Sequence, residues 1–247
     1  MNAINQSVMT AKPPQYTVSG DEVHIWSAAL DSPTAGLLDC LSDDEVQRAK
    51  RFYFEKDRNR FVVCHGILRN ILGNYLNIEP EQVRFYQGKN GKPSLANGPD
   101  KDKLNFNLSH SEGLAIYALT RNREVGVDIE YIRDMPDMEK LAERFFSPRE
   151  NEVLQILSEG RKKEAFFNCW TRKEAFIKAT GDGLSYPLDR FEVSLVPGEP
   201  ARLISIHRDA GEAARWSIKD LKPAPGYAAA FAVPGRTAKI VCRQWAS

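Results

Sequence analysis

The stretch LNFNLSHSEGLAIYALTRNREVGVDIEYI, Leu104 to Ile132, decides the fold. It reads as successive β-strands, with a turn at Arg121 to Arg123 joining a strand over Ala115–Thr120 to one over Glu124–Tyr131. In the last of these, Val125, Val127 and Ile129 form the apolar face, so Asp128 and Glu130 share the opposite one. Two acids side by side fit the solvated face of a half-buried strand. They would also suit a hard cation, because Mg²⁺ takes carboxylate oxygens and is usually held by one or two of them plus phosphate and water.

Upstream, EVHIWSAAL alternates as a strand, and LSDDEVQRAKRFYF opens a helix with Ser42 as N-cap and acids in its first turn. Asp57 to Leu72 carries Phe61, Cys64, Leu68, Ile71 and Leu72 at helical spacing, and Gly73 is where that helix should stop. VRFYQGKNGKPSL then reads as a strand breaking into a turn. Downstream, ERFFSPRENEVL parallels KRFYFEKDRNRF. Each is followed by an apolar helix ending in glycine, at Gly73 and Gly181, and then by strand-like sequence. The parallel implies an internal duplication, two halves with a cleft between them. From Arg202 to Trp245 further strands are interrupted at Pro223, Pro225 and Pro234.

Composition narrows the function classes. The chain has 247 residues, enough for one large or two moderate units with a real core, and its formal net charge of +1 supplies no global field toward nucleic acid or an anionic membrane. Cys40, Cys64, Cys169 and Cys242 form no C-x-x-C pair, which argues against a zinc knuckle, a redox motif or a disulfide framework. The polar first twenty residues read as a flexible N-terminus without a signal peptide. No apolar run approaches the roughly 20 residues that span a bilayer, so a cytoplasmic protein is expected.

Glu174 is the most informative acid. At 100° per residue it projects from the same helix face as Phe167, Trp170 and Ile177. A carboxylate there needs a cation or hydrogen-bond donors, and Lys178, one turn on, is one candidate beside a metal. The basic residues Arg48, Lys50, Arg51, Lys56, Arg58 and Arg60 form either a solvated helix face or an anion site. KNGKP adds Lys89 and Lys92 on a turn. Ser109 and His110 in NLSHS lack the G-x-S-x-G elbow of a serine hydrolase, and the four histidines show no metal-ligand spacing, so His110 is read as a phosphate donor. TGDGLS closes a helix instead of opening one, which excludes a dinucleotide fingerprint.

Taken in order, RAKRFYF, GKP, FNLSHS, GVDIE, RFFSPRE and CWTRKEAFIKATGDGLS, spread from Leu41 to Leu188, resemble the Sfp-type 4′-phosphopantetheinyl transferases. The resemblance implies an α+β pseudo-dimer: two similar lobes, each a long helix on a small antiparallel sheet, over residues 21–122 and 123–247, with the active site in the cleft between them. It implies that Asp128, Glu130 and Glu174 bind Mg²⁺, with Mn²⁺ an alternative. Arg48, Lys92, Ser109 and His110 would hold the adenosine and phosphates of coenzyme A, and Lys178 would touch the phosphates. Some family members carry a basic residue three positions before Arg48; here that position is Glu45, and Arg60 or Lys56 would compensate. The implied reaction moves 4′-phosphopantetheine from coenzyme A to a serine of an apo acyl carrier protein or peptidyl carrier domain, with Glu174 as base and 3′,5′-adenosine bisphosphate as the second product. The enzyme would act as a monomer, with no nucleic acid or membrane partner. Competing readings are a Mg²⁺-dependent nucleotide pyrophosphatase, a coenzyme A-binding regulatory module and, on the basic cluster alone, a nucleic-acid binder.

Overall fold

The computed structural model describes residues 16–88, 91–96, 103–183, 186–237 and 239–246. In chain order the elements are β1 (Glu22–Ala29), α1 (Asp43–Ala49), α2 (Glu55–Leu76), β2 (Phe85–Gln87), β3 (Pro93–Leu95), β4 (Leu104–Ser111), β5 (Leu114–Arg121) and β6 (Gly126–Tyr131). Then follow α3 (Met138–Phe145), α4 (Pro148–Ile156), α5 (Glu159–Thr180), β7 (Phe191–Val193), β8 (Leu203–Ile206), α6 (Ala210–Ala213), β9 (Trp216–Leu221), β10 (Tyr227–Pro234) and β11 (Lys239–Gln244).

Two sheets form, in the orders β11-β1-β5-β4 and β6-β10-β9, with small β2-β3 and β7-β8 ribbons beside them. Val23, Ile25, Ile116 and Ala118 of the first sheet pack on Val127, Ile129, Ala229 and Phe231 of the second, so the alternation read in β6 buries its apolar face between sheets. The outer face of the first sheet, with Trp26, Ala28, Tyr117 and Leu119, is covered by α2 through Val63, Ile67 and Ile71. The outer face of the second, with Ala228, Ala230 and Ala232, packs with α5 residues Ala175, Phe176 and Ala179. The order of layers is therefore helix, sheet, sheet, helix. Between Arg121 and Gly126 the chain leaves one sheet for the other, so β5 and β6 do not pair.

The two halves repeat one another in detail. In the first, a capping box from Ser42 to Glu45 opens α1, and the Glu45 carboxylate accepts from Arg69 of α2 at 2.7 Å. Buried Arg69 also donates to the Pro80 and Val83 carbonyls and lies over the Phe85 ring. In the second, a capping box from Ser147 to Glu150 opens α4, Glu150 pairs with Lys173 of α5 at 2.8 Å, and Lys173 donates to the Leu188 and Phe191 carbonyls over the Phe191 ring. The counterpart of Ser147–Glu150 is thus Ser42–Glu45, and the echo of Lys50–Phe61 in Glu143–Leu154 was out of register. Glu45 is the acid that neutralises Arg69.

Three expectations need correction. Helix α2 runs through Gly73 to Leu76, capped by left-handed Asn77; a Cβ at Gly73 would lie 2.8 Å from the Ile78 carbonyl, so this glycine serves a close approach. Residues 16–20 are not loose: Val18 is buried and Tyr16 packs on Trp26 and Tyr75, while 1–15 lie outside the described residues. Strand β11 returns to pair with β1, so 239–244 pack with the first half, where they cover an otherwise unpaired strand edge. Gly181 is the left-handed cap of α5 as expected.

Candidate active site

The site lies where β4, β6 and α5 meet. Gly126 is the residue that allows it. A Cβ there would lie 2.0 Å from the Ala175 carbonyl oxygen and 2.3 Å from the Ala179 nitrogen, so only glycine lets β6 run against the α5 backbone. That approach brings Asp128 and Glu130 to the helix turn carrying Glu174 and Lys178.

Strand β4 reaches the same place from the other sheet. No backbone ladder joins β4 to β6. Side chains replace it: Asn107 Oδ1 accepts from the Val127 amide at 2.9 Å, Ser109 Oγ donates to Asp128 Oδ1 at 2.9 Å, and Ser111 Oγ donates to Glu130 Oε2 at 2.8 Å while accepting from the Tyr131 amide. The alternate polar residues of FNLSHS are thereby buried and used.

Lys178 Nζ donates to Asp128 Oδ1 at 2.7 Å and to Ser109 Oγ at 3.0 Å. Its partner is therefore Asp128, and not Glu174 on its own helix. Asp128 Oδ2 and Glu174 Oε1 are buried with no hydrogen-bond partner. Burial raises the Asp128 pKa against the opposing pull of Lys178 and Ser109. Burial, with repulsion from Asp128, raises that of Glu130 against the Ser111 hydrogen bond. Glu174 is pushed up to about 7, first by desolvation and then by the charges of Asp128 and Glu130, with Lys178 opposing. Three carboxyls, each raised by burial and two of them also by their acidic neighbours, with two oxygens lacking partners, form a site short of positive charge.

Among the described residues, no three His, Cys, Asp or Glu side chains form a ready-made metal cage. The donor set nonetheless suits a hard ion: all oxygen, two atoms unpartnered and buried, and fewer protein ligands than a closed cage, as befits a cation that also takes phosphate and water.

The predicted anion residues divide. His110 keeps contact with solvent, yet desolvation by neighbouring atoms, followed by His65 and then the charges of Lys178, Arg60 and Arg48, depresses its pKa. Arg48 is exposed and lies over the Phe61 ring. Arg60 is not free: it forms a two-pronged pair with Asp31 at 2.7 and 2.9 Å and a weaker one with Glu112. The Lys92 ammonium ties Glu124 to the Val125 and Ala179 carbonyls, clamping the end of α5 to the start of β6. Ser109 points at Asp128 and Lys178. Lys89 lies outside the described residues. Sequence reading missed Asn107, Ser111 and the role of Gly126; the alternation of FNLSHS opposite GVDIE was the signal available for the first two. A pocket of about 120 Å³ is lined by Glu130 with Met135, Leu141, Phe166 and Trp170.

A duplicated α+β frame brings three carboxylates and a lysine together at one seam. Comparison with known proteins gives the family. The profile described as "4'-phosphopantetheinyl transferase superfamily" matches residues 124–232, and that described as "4'-phosphopantetheinyl transferase, N-terminal" matches residues 26–121. The chain is 46% identical over 233 residues to the 4'-phosphopantetheinyl transferase HetI of Nostoc sp., covering 93% of this chain and 95% of that protein. It is 32% identical to the 4'-phosphopantetheinyl transferase Sfp of Bacillus subtilis over 63% of this chain and 66% of that one. Among solved structures, the holo-[acyl-carrier-protein] synthase of Thermotoga maritima matches at 25% identity and a TM-score of 0.37, over 46% of this chain and 63% of that chain. The chain belongs to the 4′-phosphopantetheinyl transferase family.

Proposed function

We propose that this enzyme transfers 4′-phosphopantetheine from coenzyme A to a serine hydroxyl of an apo acyl or peptidyl carrier protein, with release of 3′,5′-adenosine bisphosphate. The observation that carries the proposal is the carboxylate group with buried, unpartnered oxygens on Asp128 and Glu174, set beside Lys178.

Each residue has a task in that reaction. Lys178 sets a positive charge where the pyrophosphate must pass, and a charge already in place stabilises the transition state without reorganisation. Glu174, with a proton affinity matched to neutral pH, accepts the serine proton as the hydroxyl attacks the β-phosphorus. His110, held neutral, offers an N–H to a phosphate oxygen, and Arg48 supplies a guanidinium fork on the exposed side. Lys92 and Arg60 support the frame of the anion site from positions already paired. The pocket beside Glu130 offers apolar wall to the uncharged pantetheine arm.

Asp128 and Glu130 would hold Mg²⁺, or Mn²⁺, with Glu174 closing the site. When bound, the ion adds positive charge at the pyrophosphate. Because one carboxylate does not serve well as tight ligand and base together, the proton falls to Glu174 and the ion chiefly to the two β6 acids. The same reading has the enzyme act as a monomer in the cytoplasm; among the described residues no helix is long and apolar enough to cross a membrane.

The test is product analysis. Coenzyme A and Mg²⁺ are incubated with the enzyme, with and without an apo carrier domain, and 3′,5′-adenosine bisphosphate is quantified by chromatography. Release only with the carrier supports transfer. Equal release without it would make the enzyme a pyrophosphatase, and none in either case would leave a binding module.

A further inference from the structure

Strand β6 presents its amides at Val127, Ile129 and Tyr131 to the side on which β4 lies, where no backbone carbonyl answers them. Two of them meet a side-chain oxygen: Asn107 Oδ1 for Val127 and Ser111 Oγ for Tyr131. Ser111 does more than fill this edge. Its hydroxyl accepts from the Tyr131 amide at 3.1 Å and donates its one proton to Glu130 Oε2 at 2.8 Å, so the orientation of the hydroxyl is fixed at both ends. Glu130 has a further cation, Arg133, at 4.0 Å, the limit of an ion pair. Its carboxylate is aimed chiefly by Ser111.

We infer that Ser111 is a positioning residue, which holds Glu130 in the orientation needed to take a divalent cation with Asp128. The inference rests on the proposed metal role of the β6 acids and extends it to a residue that touches neither coenzyme A nor the reacting atoms. Hydrogen-bond partners of metal-holding carboxylates set the direction of their lone pairs, and removing one commonly costs on the order of 10-fold or more in metal affinity. Threonine keeps the hydroxyl and its donor; alanine removes both the acceptor for Tyr131 and the donor for Glu130.

The experiment is direct titration of the purified full-length protein with Mn²⁺ alone, by calorimetry and by the paramagnetic signal of free Mn²⁺. Wild type, Ser111→Ala, Ser111→Thr, Glu130→Gln and the double variant Glu130→Gln/Ser111→Ala are compared, with circular dichroism to verify folding. Ser111→Ala should weaken Mn²⁺ binding about 10-fold, Ser111→Thr should stay near wild type, and in the Glu130→Gln background the alanine should change little. Equal loss in alanine and threonine variants, no loss with alanine, or the same loss with and without Glu130 would each overturn the role of Ser111. Absence of saturable Mn²⁺ binding in the wild type would overturn the metal reading itself, and this one with it.

Discussion

Replacing Glu174 by glutamine should stabilise the metal-free protein at neutral pH and abolish its activity. The Glu174 pKa rises from 4.5 to about 7, with burial the leading cause. A carboxyl whose proton affinity rises on folding favours the folded state while it is protonated, so its effect is neutral below pH 4.5 and unfavourable above. Stability is lost as pH climbs from 4.5 to about 7, and no more is lost beyond. At about 1.4 kcal/mol per pH unit that span costs up to roughly 3 kcal/mol, or about 6–12 °C in melting temperature for a chain of this size. Glutamine has the same shape and no charge. Wild type and Glu174→Gln should melt together near pH 4.5 and separate by pH 7.5, with the variant higher. The assay is a series of thermal melts in chelator, read as the difference between the two proteins, because other acids titrate in both; the Glu45 pKa, for example, falls to about 2, where burial is outweighed by His65, Ser42 and Arg69. A difference that stays constant across the range, or a variant less stable at pH 7.5, would refute the reasoning.

Gly126→Ala should destabilise by about 4 kcal/mol or more and remove transfer, because its Cβ would meet backbone at 2.0 Å; urea unfolding measures it. Lys173→Met leaves Glu150 charged and buried and should cost about 3–5 kcal/mol in urea unfolding, and adding Glu150→Leu should not restore stability, because the buried Ser147 and Val193 amides then lose their acceptor. Lys178→Ala should raise the KM for coenzyme A and lower kcat. Without its ammonium the Asp128 pKa rises further, so the acid limb of the rate profile should move to higher pH.

The parts of the fold set by local rules were legible in the sequence. Ser42 as N-cap, the buried alternation of Val127 and Ile129, and Gly181 as helix cap each follow from a few neighbouring residues. Glu174 stood out because an acid on an apolar helix face demands an explanation. What stayed hidden depends on partners distant in the chain. Gly73 looked like a terminator, and its real constraint is the Ile78 carbonyl folding back over the helix. Arg60 reads as one of a basic cluster, and its pairing with Asp31, 29 residues earlier, depends on the folded chain. The roles of Asn107 and Ser111 depend on β6 lying beside β4 without a ladder, which nothing local in the sequence specifies. The duplication was visible as a faint echo, but its register became clear only through the paired Glu45–Arg69 and Glu150–Lys173 contacts.

The most direct test of the account is the intact mass of an apo carrier domain after incubation with coenzyme A, Mg²⁺ and enzyme, for wild type and Asp128→Ala, with a chelator control. The account predicts a gain of one phosphopantetheine group on the carrier serine with wild type and Mg²⁺, and no gain with the variant or the chelator. An unmodified carrier with wild type, or a carrier modified equally by Asp128→Ala, would contradict it.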